Sequence, residues 1–313
     1  MILLRRRWRA ALIAVLALAG ATWLIGGRWV YPGVGPNPIA AATPGRDGAA
    51  LFAAAGCANC HTDRQHQGAP LAGGRALVTA YGTFFTPNIS ADPEFGIGRW
   101  SDSDFVRALR LGVGPTGKDY YPSFPYPAFT QMSDDDILAI KQYIFSLPPQ
   151  NRPDREHQLR FPYSIRSSIK VWKILYLREG TLDADPEESK QWNRGAYLVR
   201  AVAHCGECHT PRDWLGGVEA NRRFAGASMA IDGMKAADIT PDPRAIGRWS
   251  VDDLASYLED GLTPSGDSAG GAMAEVIRGT SALSSDDRHA IAVYMKAQAP
   301  IPPAVAHERS KSE

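Results

Sequence analysis

Apolar residues recur at helical spacing along this chain, and the clearest runs come in pairs. Phe105 and Leu109 lie one turn apart, as do Leu254 and Leu258. Each pair follows an Ile-Gly-Arg-Trp-Ser segment, at 97–101 and again at 246–250. Ser101 and Ser250 read as N-caps, with Asp104 and Asp253 three residues on completing an acidic form of the capping box. Gly112 and Gly261 close these helices. A second pair opens at Ser133-Asp134-Asp135-Asp136 and at Ser284-Ser285-Asp286-Asp287, where Asp in the first turn suits the helix dipole. The former carries Ile137, Ile140, Ile144 and Leu147 on one face and ends at Pro148 and Pro149; the latter carries Ile291, Tyr294 and Met295 before Pro300. A further helix is predicted from Asp47 through Leu51 and Phe52, with a counterpart from Asn193 through Leu198 and Val199. Thr86-Pro87-Asn88-Ile89 is echoed by Asp238-Ile239-Thr240-Pro241. The pattern predicts an all-α protein in which one small helical domain occurs twice, at 47–149 and 192–302, with a period of about 150 residues.

The remaining segments differ in character. Arg5, Arg6, Arg7 and Arg9 precede an uncharged run from Ala10 to Gly27, which spans about 27 Å as a helix and so approaches the thickness of a bilayer core. Ala19-Gly20-Ala21 would serve as a signal-peptide cleavage site. Trp23, Leu24 and Ile25 continue the apolar run beyond it, and Trp29 and Tyr31 form an interfacial aromatic pair, which favours an uncleaved transmembrane helix over 1–30. For a bacterial chain this predicts a single pass through the inner membrane, arginines in the cytoplasm and the rest in the periplasm. Residues 31–46 are rich in Pro, Gly and Ala and read as a tether, and 303–313 as a tail. The linker over 150–191 places Ile165, Ile169, Trp172 and Tyr176 on one helical face, with Arg166, Lys170 and Lys173 beside it. Such a helix either lies on a membrane or partner subunit or packs between the two copies.

A formal net charge of +1 argues against a nucleic-acid binder. The 30 Gly and 23 Pro fit short helices in substantial loop. No phosphate-cradling Gly motif or nucleotide fingerprint occurs, so the chain is not expected to carry a flavin or nicotinamide.

The chemistry lies in the four cysteines, which fall in Cys57-Ala58-Asn59-Cys60-His61 and Cys205-Gly206-Glu207-Cys208-His209. Each segment reads as a c-type haem attachment site. Two thiols a helical turn apart reach the vinyl groups of one porphyrin, and the adjacent histidine is held as proximal iron ligand. A zinc knuckle would want two further ligands at short spacing, and a redox dithiol needs no histidine there. Two covalently bound haem c groups would use every cysteine, leaving none for a disulfide. The proximal ligands are then His61 and His209.

A thioether on the opposite face raises the potential of such an iron. In the second copy Met273, in the loop Gly270-Gly271-Ala272-Met273, has the right location; Met229 and Met234 come too early and Met295 is inside the last helix. In the first copy, aligning the terminal helices sets Met132 opposite Leu283, a staple position before the N-cap. The position nearest Met273 falls within Tyr120-Tyr121-Pro122-Ser123-Phe124-Pro125-Tyr126, which holds no methionine. Met132 is thus a ligand only on a rearranged loop; otherwise haem 1 is five-coordinate or takes His66 or a tyrosine. His157, His204, His289 and His307 are read as ordinary histidines.

These residues together resemble the tandem class I cytochrome c proteins that serve as cytochrome subunits of membrane-bound bacterial dehydrogenases oxidising alcohols, gluconate or aldehydes. The resemblance rests on the two Cys-x-x-Cys-His segments, the Ile-Gly-Arg-Trp-Ser repeats, Phe124-Pro125-Tyr126-Pro127, and Trp192 to Leu198 ahead of the second motif. It implies a non-catalytic subunit that passes electrons from a dehydrogenase to a quinone, an oxidase or another cytochrome in the respiratory chain. Many such subunits look like three-haem proteins, whereas two motifs occur here. The family's first-domain loop often reads Pro-Ala-Met-Pro-Tyr, and Phe124 takes the methionine's place. An open iron at haem 1 would instead suit a dihaem oxidoreductase of peroxidase or thiosulfate-oxidising type.

Overall fold

In both halves a helix ahead of the cysteine motif crosses the half's last helix at a glycine. The computed structural model describes residues 47–228, 233 and 235–301. The predicted transmembrane helix, the tether, the C-terminal tail with His307, and Met229 and Met234 lie outside the described residues. Among the described residues no helix is long and apolar enough to cross a membrane.

The first half begins with α1 (Gly48–Ala54), capped by Asp47 and burying Leu51, Phe52 and Ala54, and continues into α2 (Cys57–His61). A short antiparallel hairpin, β1 (Ala76–Thr79) and β2 (Gly82–Phe85), follows. Then come α3 (Asp102–Leu111), the one-turn α4 (Tyr126–Phe129) and α5 (Asp134–Ser146). After β3 (Gln158–Leu159) and α6 (Ser168–Tyr176), the second half runs through α7 (Lys190–Tyr197), which leads into a π-helical turn at Leu198–Val202, and α8 (Gly206–His209). It ends with α9 (Val251–Asp260), α10 (Gly271–Thr280) and α11 (Ser285–Lys296).

The expected caps form. Ser101 accepts from Asp104 N–H while Asp104 accepts from Ser101 N–H, and Ser250 and Asp253 repeat the box. Gly112 and Gly261 end these helices at φ of 60° and 76°, a left-handed backbone that glycine adopts without a Cβ clash. Ser133 and Ser284 cap α5 and α11. A Cβ on Gly48 would strike the carbonyl of Ala139 in α5, and one on Gly195 would strike that of Ala290 in α11. The same close crossing therefore closes both halves.

One continuous cluster of buried residues joins them, from Leu51, Phe105, Ile137 and Ile140 to Leu198, Val202, Leu254 and Ile291. The contact between halves is close enough that a Cβ on Gly279 of α10 would strike Ala53 of α1. Polar ties reinforce it: Arg75 pairs with Glu275 at 2.7 Å, and the Tyr197 hydroxyl accepts from Ser133 N–H at 3.1 Å.

The structure adds a small sheet to the helical picture. Strands β1, β2 and β3 lie side by side, with Leu77 opposite Phe84 and Gly82 opposite Leu159. Leu77 and Phe84 face Tyr121 and Ile169 in a second apolar cluster. The third strand comes from the linker, so part of 150–191 belongs structurally to the first half.

Helix α6 does pack between the halves, as one of its two expected readings has it. Ile169 enters the sheet cluster, Trp172 Nε1–H donates to Leu215 O at 3.1 Å, and the Tyr176 hydroxyl donates to Asp213 at 2.7 Å. The basic stripe is corrected in part. Lys173 is buried, bonded to Asp119 at 2.6 Å and to Gly112 O at 2.9 Å, and Arg166 lies over the Tyr121 ring and donates to Asp119 O. A buried ammonium must be paired, and Asp119 supplies the pair. Val171, Ile174 and Leu175 form the opposite, exposed face.

Ile169→Ala is expected to destabilise the folded protein by about 2 to 5 kcal/mol through lost burial and a cavity. Ile174→Ala, at a position 52% exposed, should stay within about 0.5 kcal/mol. Denaturant unfolding of the two variants distinguishes the faces, and equal losses would refute this packing.

Candidate haem sites

Gly56, at φ of 66°, turns the chain from α1 into α2, and Cys57 and Cys60 then stand a helical turn apart and half-buried. His61 ends the helix, and its Nδ1–H donates to Pro87 O at 2.7 Å. A carbonyl only accepts, so the proton is on Nδ1 and Nε2 keeps its lone pair. The His61 carbonyl accepts from Gly73 N–H at 2.9 Å, and Thr62 Oγ1 accepts from Leu71 N–H at 3.1 Å.

The second motif is held by the same bonds. His209 Nδ1–H donates to Ala237 O at 2.7 Å, the His209 carbonyl accepts from Gly226 N–H at 2.9 Å, and Thr210 Oγ1 accepts from Phe224 N–H at 3.2 Å. Leu71 and Phe224 share a left-handed backbone, φ 62° and 70°, and accept from Ile89 and Ile239 N–H. The bonds set Pro87 opposite Ala237 and Ile89 opposite Ile239, so the Thr-Pro pairs at 86–87 and 240–241 are not counterparts.

Burial pushes the Cys57 and Cys205 thiols up to about 12, with the neighbouring cysteine of each pair adding to it. It also lowers His61 and His209. Zinc would call for more donors, and among the described residues no group of three or more His, Cys, Asp or Glu gathers. Two thiols on one turn and an imidazole whose Nδ1–H is fixed on a carbonyl while Nε2 stays free are the donor set that haem c requires. Near the second motif, burial and then the like charge of Arg200 lower the Arg223 guanidinium.

The other candidates separate clearly. Met273 lies half-buried in the first turn of α10, so the Gly-rich stretch opens a helix where a loop was expected. Met132 is fully buried in the shared apolar cluster. His66 points to solvent, its side chain 73% exposed, and bonds Asp63. His289 bonds Asp252 on the surface. His157 packs against Phe84 and Tyr121 and accepts from Phe85 N–H at 3.2 Å.

His204 is the residue that sequence reasoning passed over. It precedes Cys205 as Gly56 precedes Cys57, and it keeps the left-handed backbone at φ of 41° although it is not glycine. Such a conformation costs a non-glycine residue about 1 to 3 kcal/mol and persists where surroundings hold it. Here its ring bonds Ala55 O at 3.1 Å and stands edge-on to Phe129, which ties the approach to one motif to the approach to the other. The signal was present: a histidine where the other copy has glycine. Thr62 and Thr210 were equally legible, since each directly follows its motif histidine.

A helical chain built round Cys-x-x-Cys-His, with the histidine oriented by a backbone carbonyl, is a c-type cytochrome. The cytochrome c family model matches residues 45–148. A dihaem c-type cytochrome of Cereibacter sphaeroides is 41% identical over 302 residues, covering 93% of this chain and 98% of that one. The fructose dehydrogenase cytochrome subunit of Gluconobacter japonicus is 39% identical over 266 residues, 83% of this chain and 54% of the relative. A nicotinate dehydrogenase subunit from Pseudomonas putida is 38% identical over 275 residues, 88% of this chain and 23% of the relative. The chain belongs to the c-type cytochrome family, which the protein of Cereibacter sphaeroides shows over nearly its whole length.

Burial, with Arg166 and Lys118 adding like charge, lowers His157 from its ordinary 6.5 to about 4. Between those values the unfolded chain binds more protons than the folded one, so stability falls as pH drops from 6.5 towards 4. His157→Gln keeps an acceptor for Phe85 N–H without the titration. Its urea midpoint should vary less over this range, and an unchanged slope would refute a neutral, half-buried His157.

Proposed function

We propose that this chain is a dihaem electron carrier that takes electrons from a dehydrogenase and passes them to a quinone, an oxidase or another cytochrome of the respiratory chain. What carries the reading is the duplicated frame, in which His61 and His209 each meet a carbonyl at 2.7 Å. On this reading the chain comprises two tandem class I cytochrome c domains, at 47–149 and 192–302, joined by the segment at 150–191. Cys57 and Cys60 hold one porphyrin, Cys205 and Cys208 the other, and His61 and His209 are the proximal ligands. Haem iron, when bound, supplies a one-electron couple. The chain fixes that couple's surroundings. Pro87 and Ala237 orient the imidazoles and raise their basicity, the thiols become thioethers, and the apolar cluster packs against Cys57 and Cys205. Met273 is the proposed distal ligand of the second haem.

The dehydrogenase partner is supported by relatives named as dehydrogenase subunits. Membrane anchoring through residues 1–30, with the haem-bearing part in the periplasm, is supported by the arginines ahead of the uncharged run.

Pyridine haemochrome analysis of the full-length protein is expected to give two haems per chain. The double variants Cys57→Ala/Cys60→Ala and Cys205→Ala/Cys208→Ala should carry one each. A redox titration should resolve two one-electron steps, with Met273→Ala lowering the potential of one. One haem in the unsubstituted protein would overturn the reading.

A further inference from the structure

The two halves share a hydrogen-bond register that compares their distal loops residue by residue. After α3, Tyr120 N–H donates to Gly112 O at 2.8 Å; after α9, Ala269 N–H donates to Gly261 O at 2.8 Å. The bridges Val113 to Asp119 and Leu262 to Ser268 fall in the same places. Four residues beyond these anchors stand Phe124 and Met273. Counted back from the caps of the last helices, the residues before Ser133 and Ser284 are Met132 and Leu283.

Met132 is bound into its place. Its N–H donates to Phe129 O at 3.0 Å, and its carbonyl accepts from Arg110 at 2.7 Å, which also bonds Thr130 O and Asp134. Leu283 is fastened likewise, its N–H to Thr280 O and its carbonyl to Arg288. A leucine serves in the one half where a methionine serves in the other, so the position asks for apolar volume and not for sulfur.

The loop carrying Phe124 is equally settled. Its ring packs edge-on or tilted against Tyr120, Tyr126 and Phe129, with centroids 5.7 to 6.3 Å apart. Phe124 N–H donates to Tyr121 O, and Tyr126 N–H to Phe124 O. Among the described residues, the histidines and tyrosines weighed for this iron are engaged or unsuitable. His66 faces solvent, and His157 and His204 hold backbone groups. Burial drives the Tyr120 phenol up to about 12 and raises Tyr121, so neither offers a phenolate.

We infer that the first site, where Phe124 stands in the register of Met273, leaves its haem iron with an open sixth position that accepts a neutral diatomic ligand. The aromatic surroundings disfavour an unpaired anion there, which leaves the neutral diatomics as the matching class, with carbon monoxide as the probe. The inference rests on the two-haem reading.

The test uses full-length holoprotein, counted for haem and then reduced and titrated with carbon monoxide. One carbon monoxide per two haems is expected, with one high-spin and one low-spin ferric signal by electron paramagnetic resonance. Met132→Leu should leave both unchanged, Phe124→Leu should still bind carbon monoxide, and Phe124→Met should become low-spin and stop binding it. Two haems and no carbon monoxide bound would overturn the inference alone. So would carbon monoxide binding that appears only in Met132→Leu, which would make Met132 the ligand. Fewer than two haems would overturn the reading beneath it.

Discussion

Both sites depend on one bond, the imidazole N–H given to a backbone carbonyl. It fixes the tautomer, the ring plane and the availability of the outer nitrogen at once. The accepting carbonyls, Pro87 and Ala237, are held in turn by loops that double back on the motif: Gly73 and Gly226 reach the histidine carbonyls, and Thr62 and Thr210 reach Leu71 and Phe224. An imidazole anchored only by its own torsions would swing, and a metal bound to it would change orientation with every swing.

These frames stand on a core that does not divide between the halves. The glycine crossings at Gly48 and Gly195 bring the leading helix of each half against its last helix, and Gly279 brings α10 equally close to α1. Close-packed interiors transmit displacement where looser contacts would absorb it. The π-helical turn at Leu198–Val202, its apolar residues all buried, lies at this junction and leads directly to His204. Strain at His204 is thus held by a part of the protein that cannot relax independently.

Much of this was legible from residue order. Capping boxes, αL glycines and the faces of α3, α5, α9 and α11 follow from local chemistry, which a sequence displays directly. Four features were not. The strands are too short for their alternation to stand out, and β3 pairs with residues far away in the chain. Lys173 looked like part of a solvated stripe because its partner, Asp119, comes from another segment. Met273 follows two glycines that read as loop although they open a helix. His204 appeared ordinary because the acceptor of its bond, Ala55, belongs to the other half. Most of these misses concern contacts between distant segments, whereas the successes concern contacts within a turn or two.

The undivided core also bears on how the molecule is made. Cys57 and Cys205 both pack against that one cluster, so closing the chain around either motif helps close it around the other. On the two-haem reading, each porphyrin has to meet its pair of thiols, so a chain that closed this core before loading would close round both motifs together, and attachment at both motifs ahead of a single collapse is the order the shared core favours.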